Sequence, residues 1–296
     1  MTENEFLLQD RLGVIRDTIN KYGEENFYLS FSGGKDSTVV HYLLDEALPN
    51  NKIPRVFINT GIEYNAVVEF VKGLAQEDER FVIIKPTQNI KQMLERVGYP
   101  FKSKEHSVMV NEWQKGHRDT RKMKTYLSST GSRYECPKIL RYQFTDEFKM
   151  KISPKCCEEL KKKPVKKWQK ENHRPINITG MQREEGGERT HIDCIMVKKG
   201  KIVKFHPLAK VTGEWEDWLI KEKKIKLCKL YEEPYNFYRT GCKGCPFSLS
   251  LSQQLDVMEK YMPNERRQTE MIWKPVYDEY RRLEYRLKAE EQMILF

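Results

Sequence analysis

The stretch from Phe27 to Leu44 constrains the fold of this chain more than any other part of its sequence. It begins with a short apolar run, passes through a polar turn, and ends in apolar residues at helical spacing, which predicts a strand, a loop and a helix. Gly33 and Gly34 let the backbone turn sharply, and the loop opens onto a helix N-terminus, where unpaired N–H groups and the helix dipole favour an anion. Lys35 adds a positive charge, so the stretch predicts a phosphate site.

The loop differs from two common phosphate-binding motifs. It lacks the four-residue gap of Gly-x4-Gly-Lys-Ser/Thr, and it is not Gly-x-Gly-x-x-Gly. All six of its residues resemble the pyrophosphate loop of the ATP pyrophosphatases: Ser32-Gly33-Gly34-Lys35-Asp36-Ser37. The resemblance implies an enzyme that cleaves ATP between its α and β phosphates and adenylates a substrate. It also implies that these residues bind the nucleotide and that Lys35 and Asp36 are catalytic. The structural alternative is an ordinary strand-to-helix turn with two glycines.

The composition limits the class of protein. A chain of 296 residues, of which 39% are hydrophobic, can bury a sizeable core. No apolar run approaches the roughly 20 residues that span a bilayer, and the acidic start of the chain does not fit a signal peptide. We therefore expect a cytoplasmic protein without membrane contact. The net charge of +10 invites an anionic macromolecular partner, and the seven cysteines suggest thiols or metal ligands rather than disulfides.

Strand and helix patterns alternate along the chain. The predicted elements are a helix over Phe6–Tyr22, a strand over Ile53–Thr60, a helix over Tyr64–Gln76, a strand over Phe81–Ile84, a helix over Asn89–Val97 with Asn89 as its cap, and a strand over Pro175–Gly180. Such alternation predicts an α/β fold with a doubly wound, mostly parallel sheet, whose ligand site lies at the carboxyl ends of the strands. A β-hairpin is predicted at residues 192–206, and a helix bearing two tryptophans follows it.

Two further segments resemble the phosphoadenosine-phosphosulfate (PAPS) reductase branch of the pyrophosphatases. Thr60-Gly61-Ile62-Glu63 resembles a Thr-Gly-x-Glu segment that lies beside the nucleotide in that branch. Gly180 and Arg183 resemble the start of its Gly-x-Arg-x-x-Glu-Ser-x-x-Arg segment, although two residues separate them here instead of one. The resemblance implies that Thr60, Gly61, Gly180 and Arg183 contact the nucleotide and that Arg183 is catalytic. A simple turn with a helix cap is the alternative for Thr60 and Gly61.

Four cysteines occur as an adjacent pair, Cys156-Cys157, and a Cys-x-x-Cys knuckle, Cys242 and Cys245. Alone, the knuckle fits a zinc half-site or a redox pair. Together, the four resemble the 4Fe-4S signature of the adenosine-phosphosulfate reductases, which implies that they hold such a cluster. The other three cysteines are expected to be small buried hydrophobic residues.

The segment Lys149–Arg174 has ten Lys or Arg residues against three acids. So many positive charges suit a nucleic-acid backbone, DNA or RNA, and Trp168 is a candidate to stack on a base. The alternative is that these charges tune the potential of a nearby cluster or attract a small sulfonucleotide. The segment follows a polar and basic insertion that begins near Gly98.

From Leu249 onward the chain turns helical, with a break at Pro263. We therefore predict one domain over residues 1–248, with the iron–sulfur site, and a helical extension over residues 249–296. This extension is expected to pack on the core or to form a homodimer.

Two departures from the sulfonucleotide reductases shape the functional hypothesis. Those enzymes carry a nucleophilic cysteine in their tail and lack an intact pyrophosphate loop, whereas this chain has the loop and no cysteine after Cys245. It therefore resembles more closely the iron–sulfur ATP pyrophosphatases that activate a nucleic-acid atom for sulfur insertion, such as the DNA-phosphorothioation ATPase. That resemblance implies ATP, Mg2+ and a 4Fe-4S cluster as cofactors and a possible sulfur-donor protein.

Two other functions remain open. The first is a sulfonucleotide reductase that uses an internal thiol such as Cys194 or Cys136. The second is a regulatory subunit that binds nucleic acid under the control of ATP.

Overall fold

The structure is a computed structural model that describes residues 1–132, 134–185 and 189–288. Its helices and strands are, in chain order, α1 (Glu3–Tyr22), β1 (Phe27–Ser30), α2 (Lys35–Ala47), β2 (Arg55–Ile58), α3 (Asn65–Glu77), β3 (Phe81–Ile84), α4 (Ile90–Val97), α5 (Lys104–Gln114), α6 (Arg121–Leu127), α7 (Lys163–Glu171), β4 (Ile176–Ile178), β5 (Ile195–Lys198), β6 (Lys201–Phe205), α8 (Gly213–Glu222), α9 (Leu251–Tyr261) and α10 (Pro263–Arg282).

The chain divides into two compact units, each made of two segments. The first unit comprises Met1–Lys85 and Lys163–Gly241, and the second comprises Pro86–Lys162 and Cys242–Phe296. Helices α9 and α10 belong to the same unit as the Cys-x-x-Cys knuckle, and the domain boundary predicted at residue 248 stays a prediction.

The first unit is built on a six-stranded sheet in the order β3-β2-β1-β4-β6-β5. Its first five strands run parallel, and only the edge strand β5 is antiparallel, paired with β6. The predicted α/β fold with a mostly parallel sheet is therefore confirmed. Apolar residues of β1 and α2, such as Leu29 and Val39, are fully buried in its core. The predicted hairpin is also confirmed, and its turn places Lys199 and Gly200 at positive φ, as a tight turn between paired strands requires.

Trp168 of α7 packs into the core of the first unit. Its ring is 9% exposed and meets the ring of Tyr28 edge-on, with 5.4 Å between the ring centroids. Val56 belongs to the same buried cluster. The prediction that Trp168 stacks on a nucleic-acid base is therefore wrong, because burying this large apolar ring is more favourable than leaving it in water.

The second unit is mainly helical. Helix α4 begins as predicted with Asn89 as its N-cap, since the Asn89 side chain accepts hydrogen bonds from the N–H groups of Lys91 and Gln92. Helices α9 and α10 contact each other and are separated at Met262, next to the predicted break at Pro263. No helix in the described part of either unit is long and apolar enough to cross a membrane.

Candidate functional site

The pyrophosphate loop lies between β1 and α2 and is closed by its own hydroxyls. Ser32 Oγ and Ser37 Oγ are 3.0 Å apart, and the N–H of Gly34 donates to Ser32 Oγ over 3.2 Å. Gly33 has a φ of +70°, and a Cβ atom there would lie 2.8 Å from a methyl group of Val67. The sharp turn therefore requires glycine at this position.

A second hydroxyl pair supports the loop from another part of the first unit. The N–H of Lys35 donates to the Tyr231 hydroxyl over 3.0 Å, and that hydroxyl lies 2.9 Å from Thr240 Oγ1. A Cβ atom at Gly34 would lie 3.2 Å from each of these two oxygens. The absence of a side chain at Gly34 thus lets two hydroxyls approach the first turn of α2, where a helix presents unpaired N–H groups.

The ammonium group of Lys35 is held by two carboxylates of helix α8. Lys35 Nζ lies 3.0 Å from Asp217 Oδ1 and 3.4 Å from Glu216 Oε2. Burial acts to lower the pKa of Lys35, but Asp217 and Glu216 outweigh it and leave the pKa above its ordinary value. Lys35 is therefore positively charged at neutral pH.

Glu216 is the more unusual of the two carboxylates, because only 1% of its surface is exposed. Its Oε1 atom has no hydrogen-bond partner among the described residues, and Gln182 lies beside the carboxylate but outside hydrogen-bonding geometry. Burial, together with the negative charge of Asp36, raises the pKa of Glu216 to about 7. The site therefore contains a buried carboxylate oxygen whose bonding capacity is unused.

Gly180 follows β4 and lies directly against the start of helix α2. A Cβ atom at Gly180 would lie 2.8 Å from both the backbone and the Cβ of Asp36. Burial raises the pKa of Asp36, although the positive charges of Arg239 and Lys35 act in the opposite direction. The structure thus brings the predicted residues Asp36 and Gly180 together, and it adds Arg239 to the surroundings of the Asp36 carboxylate.

Thr60 and Gly61 form a turn after β2, the parallel neighbour of β1. The N–H and the hydroxyl of Thr60 both donate to the buried carboxylate of Glu63, over 2.8 Å to its Oε2 atom. Gly61 has a φ of +85°, and its N–H donates to Asn59 Oδ1. Because β1, β2 and β4 are parallel, Thr60, the loop and Gly180 lie at the same edge of the sheet.

Arg183 makes its described contacts away from the loop. Its Nε donates to the carbonyl of Ile192 over 2.6 Å, and its guanidinium pairs with Asp193 over 2.9 Å. In this arrangement Arg183 braces the segment before β5, so its predicted contact with the nucleotide stays a prediction.

Sequence patterns missed five residues of the site: Tyr231, Thr240, Glu216, Asp217 and Arg239. None of them belongs to a recognisable motif around the loop, and the nearest, Glu216, lies 179 positions after the last loop residue, Ser37. The sequence predicts the tryptophan-bearing helix that forms α8, but its pattern does not indicate which of its side chains face Lys35.

The four predicted metal ligands all belong to the second unit. Cys156 Sγ and Cys157 Sγ are 4.0 Å apart just before a turn of π-helix at Glu158–Lys162. The Cys156 thiol, which donates to Cys157, and the nearby lysines 161, 104 and 162 lower the pKa of Cys157 to about 6. This thiol therefore has strong thiolate character, the state in which cysteine binds metals.

The Cys242–Cys245 knuckle is held by one face of helix α10. Trp273 Nε1 donates to the carbonyl of Lys243 over 3.1 Å, the Tyr277 hydroxyl donates to the carbonyl of Gly244, and the Tyr280 hydroxyl donates to the carbonyl of Pro246 over 3.0 Å. Positions 273, 277 and 280 share one side of a helix. The C-terminal helix thus fixes the backbone that carries Cys242 and Cys245.

The four thiols also interact electrostatically. Burial and the neighbouring Cys242 raise the pKa of Cys245 to about 12, and Cys157 and Cys242 contribute in the same direction to the pKa of Cys156. Within the described residues, no group of three or more histidine, cysteine, aspartate or glutamate side chains is arranged as a ready metal site. The donor set itself, four thiols whose neighbours disfavour the thiolates of Cys156 and Cys245, suits a cationic centre that would neutralise those charges.

The remaining cysteines show none of these features. Cys136 and Cys228 are buried, as expected of small apolar residues, and Cys194 is half-buried. Burial raises the pKa of Cys136 to about 11 and also raises the pKa of Cys194. Both thiols are therefore mostly protonated at neutral pH, which disfavours them as nucleophiles.

Residues 26–139 and 134–248 match the family described as the phosphoadenosine phosphosulfate reductase domain. An uncharacterized protein of Methanocaldococcus jannaschii is 30% identical over 100 residues, which are 33% of this chain and 24% of that protein. The aligned part is thus about a quarter of the length of that relative.

Solved structures with a similar arrangement have low sequence identity. The PAPS reductase of Candida auris, in a phosphate complex, is 17% identical over 78% of this chain and 91% of its own, with a TM-score of 0.43. The U34-tRNA thiolase NcsA of Methanococcus maripaludis with its [4Fe-4S] cluster is 16% identical over 98% of this chain and 84% of its own, with a TM-score of 0.40. The NH3-dependent NAD synthetase of Campylobacter jejuni is 12% identical over 98% of this chain and 99% of its own, with a TM-score of 0.41.

Proposed function

Because the chain belongs to the phosphoadenosine phosphosulfate reductase domain family, we propose that it is an ATP pyrophosphatase that releases pyrophosphate and transfers AMP to an acceptor. The observation that carries this proposal is the complete loop from Ser32 to Ser37, folded at the end of β1 and opening onto α2 with Lys35 at its first position. A helix N-terminus with a lysine is suited to bind an anionic leaving group.

Gly34 and Lys35 of the loop have defined tasks in this proposal. The N–H groups of Gly34 and Lys35, which now donate to hydroxyls, would donate to phosphate oxygens, which are stronger acceptors. Lys35 would neutralise the charge that develops on the pyrophosphate. Glu216 and Asp217 bind the ammonium group of Lys35, so they would fix the position of this positive charge before ATP binds.

The surroundings of Lys35 also fit Mg2+, which prefers oxygen ligands and commonly takes one or two carboxylates besides the phosphates of a nucleotide. Asp36 and Glu216 are close enough for the charge of Asp36 to raise the pKa of Glu216, and Glu216 Oε1 has no hydrogen-bond partner among the described residues. These two carboxylates would hold the ion, which would supply positive charge to the phosphates.

Four thiols in the second unit would hold a 4Fe-4S cluster: Cys156, Cys157, Cys242 and Cys245. The bound cluster would supply electron transfer or a site for sulfur. The chain's own contribution is to position the ligands, with α10 fixing the knuckle and lysines 161, 104 and 162 favouring the thiolate of Cys157.

The acceptor in this proposal is a nucleic acid, whose adenylated atom would then be replaced by sulfur from a donor protein. The positive net charge of the chain supports a nucleic-acid acceptor. The intact pyrophosphate loop supports adenylation, because an enzyme that releases no pyrophosphate has no use for such a loop. We also propose that the chain forms a homodimer.

Product analysis tests the reaction. The protein is incubated anaerobically with ATP labelled on the α or the γ phosphate, with and without DNA or RNA, and the products are separated. The proposal expects AMP and pyrophosphate, formed faster with the correct acceptor. ADP and phosphate as the only products would refute it.

A sulfonucleotide reductase is the second candidate, and the family match is the observation that favours it. The raised pKa values of Cys136 and Cys194 weigh against an internal nucleophile. Release of sulfite from PAPS or adenosine phosphosulfate in the presence of thioredoxin would support this candidate over the first.

A further inference from the structure

The basic segment Lys149–Arg174 is divided between the two units. Its part from Lys163 onward belongs to the first unit, which contains the sheet. From there the chain forms helix α7, which carries lysines 163, 166, 167 and 170. Residues at spacings of three, four and seven lie on one face of a helix. All four lysines are exposed, so α7 presents a continuous basic face to solvent.

The opposite face of α7 fixes the direction of this basic face. Trp168 is buried against Tyr28, and Val165 packs on the same apolar cluster. Just after the helix, the guanidinium of Arg174 donates to the carbonyl of Phe27 over 2.8 Å and to that of Glu24 over 3.3 Å. The helix is thus anchored at its side and at its end, and it cannot rotate its lysines away without exposing a tryptophan.

The lysines border a cavity of about 830 Å3 within the first unit. Besides the four lysines, His173 and Asn26 line it. The acidic neighbour on the helix is Glu171, which lies 3.8 Å from Lys167 in an exposed ion pair. Exposed pairs of this kind contribute little energy, so Glu171 leaves most of the positive potential of this face in place.

We propose that the basic face of α7 and its cavity bind the sugar-phosphate backbone of a nucleic acid. The four lysines span about 10 Å along the helix, given a rise of about 1.5 Å per residue. A nucleic-acid strand carries one phosphate for every 3.4 Å or so along a duplex axis, so the row spans about three phosphate spacings and matches a stretch of about four phosphates. Lysines act as point charges on flexible stems, which suits sequence-independent contact with a backbone.

Two other anionic partners fit this face less well. A helix that lies on a membrane surface gains much of its affinity from apolar side chains that enter the lipid beside the basic ones, and none of the exposed large hydrophobic residues of the described chain lies between residues 163 and 175. A small polyphosphate is usually held by arginine forks or by backbone N–H groups at a helix start, whereas this face offers four lysines along a row. A long polyanion uses all four at once.

This inference rests on the proposed function only for the role of the bound nucleic acid as the acceptor. Binding itself is measured without ATP, so its failure and the failure of AMP formation are separate results. If the wild-type chain binds no nucleic acid while ATP still yields AMP, the surface assignment is wrong. If binding holds while ATP yields no AMP, the proposed reaction is wrong.

The test measures the binding of fluorescent single-stranded and duplex oligonucleotides to the full chain by anisotropy, at several salt concentrations. The variant replaces Lys163, Lys166, Lys167 and Lys170 by Gln. We expect at least a tenfold loss of affinity at moderate salt. The slope of log affinity against log salt should fall by about 3 to 4, at roughly 0.9 per lost duplex phosphate contact.

The control variant removes four exposed lysines elsewhere in the first unit, at positions 198, 199, 201 and 226. It should change the slope by less than one. Equal loss in both variants, tighter binding of anionic vesicles than of oligonucleotides, or full displacement by tripolyphosphate at equal charge would each overturn the proposal. Should the first variant fail to fold, Lys166→Gln with Lys170→Gln replaces it, with an expected slope change of about 2.

Discussion

Lys35, the first residue of α2, lies 3.4 Å from a carboxylate oxygen of Glu216, a residue that is almost completely buried. A buried carboxylate costs folding free energy unless it is paired, and the Lys35 ammonium group is the charged partner of Glu216. This contact links the loop that follows β1 to a helix 181 positions further along the chain.

Lys35→Ala is expected to lower the rate of pyrophosphate release by about 10²-fold, because removing one preorganised charge contact in a reaction site commonly has that effect. The measurement is the rate of AMP and pyrophosphate formation at saturating ATP. Lys72→Ala, at an exposed position of α3, is the control and should leave the rate unchanged. An unaltered rate in the Lys35 variant would contradict the role of this lysine.

Glu216→Gln should raise the Mg2+ concentration needed for half-maximal activity and lower the rate about tenfold or more, since the variant keeps the shape of the side chain and removes its charge. Asp217→Asn is the matched control, because Asp217 also contacts Lys35 but its side chain is 60% exposed to water. Its effect should be smaller, given the weakness of exposed pairs. Similar losses in both variants would show that burial gives Glu216 no special role.

Local features of the fold followed from the sequence because their causes are local. The cap at Asn89, the Lys199-Gly200 turn and the strand–loop–helix order around Gly33 depend on residues within a few positions of each other. The Lys35–Glu216 contact was not predictable in this way, since it depends on how α8 packs. The stacking role predicted for Trp168 failed for the same reason, because the sheet surface that buries this ring is distant in sequence.

Gly180→Ala is expected to destabilise the protein by about 1–3 kcal/mol, because a Cβ atom there would lie 2.8 Å from the backbone of Asp36 and force the loop to move. The measurement is the free energy of unfolding by denaturant. Gly73→Ala is the control, since nothing lies within 4 Å of a Cβ at this position of α3. In a helix this change should stabilise the protein by up to about 1 kcal/mol. Equal changes in the free energy of unfolding in the two variants would contradict the close contact between Gly180 and Asp36.

Anaerobically purified protein is expected to be brown, with a broad visible absorbance that bleaches on reduction or in air. Replacing Cys156, Cys157, Cys242 or Cys245 by Ser should remove the colour and lower the stability, because a bound cluster contributes to folding. Cys194→Ser is the control and should stay coloured. Colourless wild-type protein with stoichiometric zinc would show that the four cysteines hold a different metal.

The buried His106 of the second unit should make the stability of the protein fall in mild acid. His106 is completely buried, and its two ring nitrogens lie 2.8 Å from the Tyr126 hydroxyl and 2.7 Å from Gln143 Oε1. Burial, with the charges of Lys102 and Arg286 in the same direction, lowers the pKa of His106 from 6.5 to about 4.

The sign of the effect follows from this shift. The unfolded chain binds a proton at His106 near pH 6.5, whereas the folded chain does so only near pH 4, so the stabilisation is complete above pH 6.5 and is lost as the pH falls to about 4. The loss amounts to about 3 kcal/mol at 1.36 kcal/mol per pKa unit. The free energy of unfolding is measured from pH 7 to pH 4 for the wild type and for His106→Gln, whose side chain does not titrate. The variant should lose about 3 kcal/mol less than the wild type over this range, whereas identical pH profiles would show that His106 titrates normally in the folded protein.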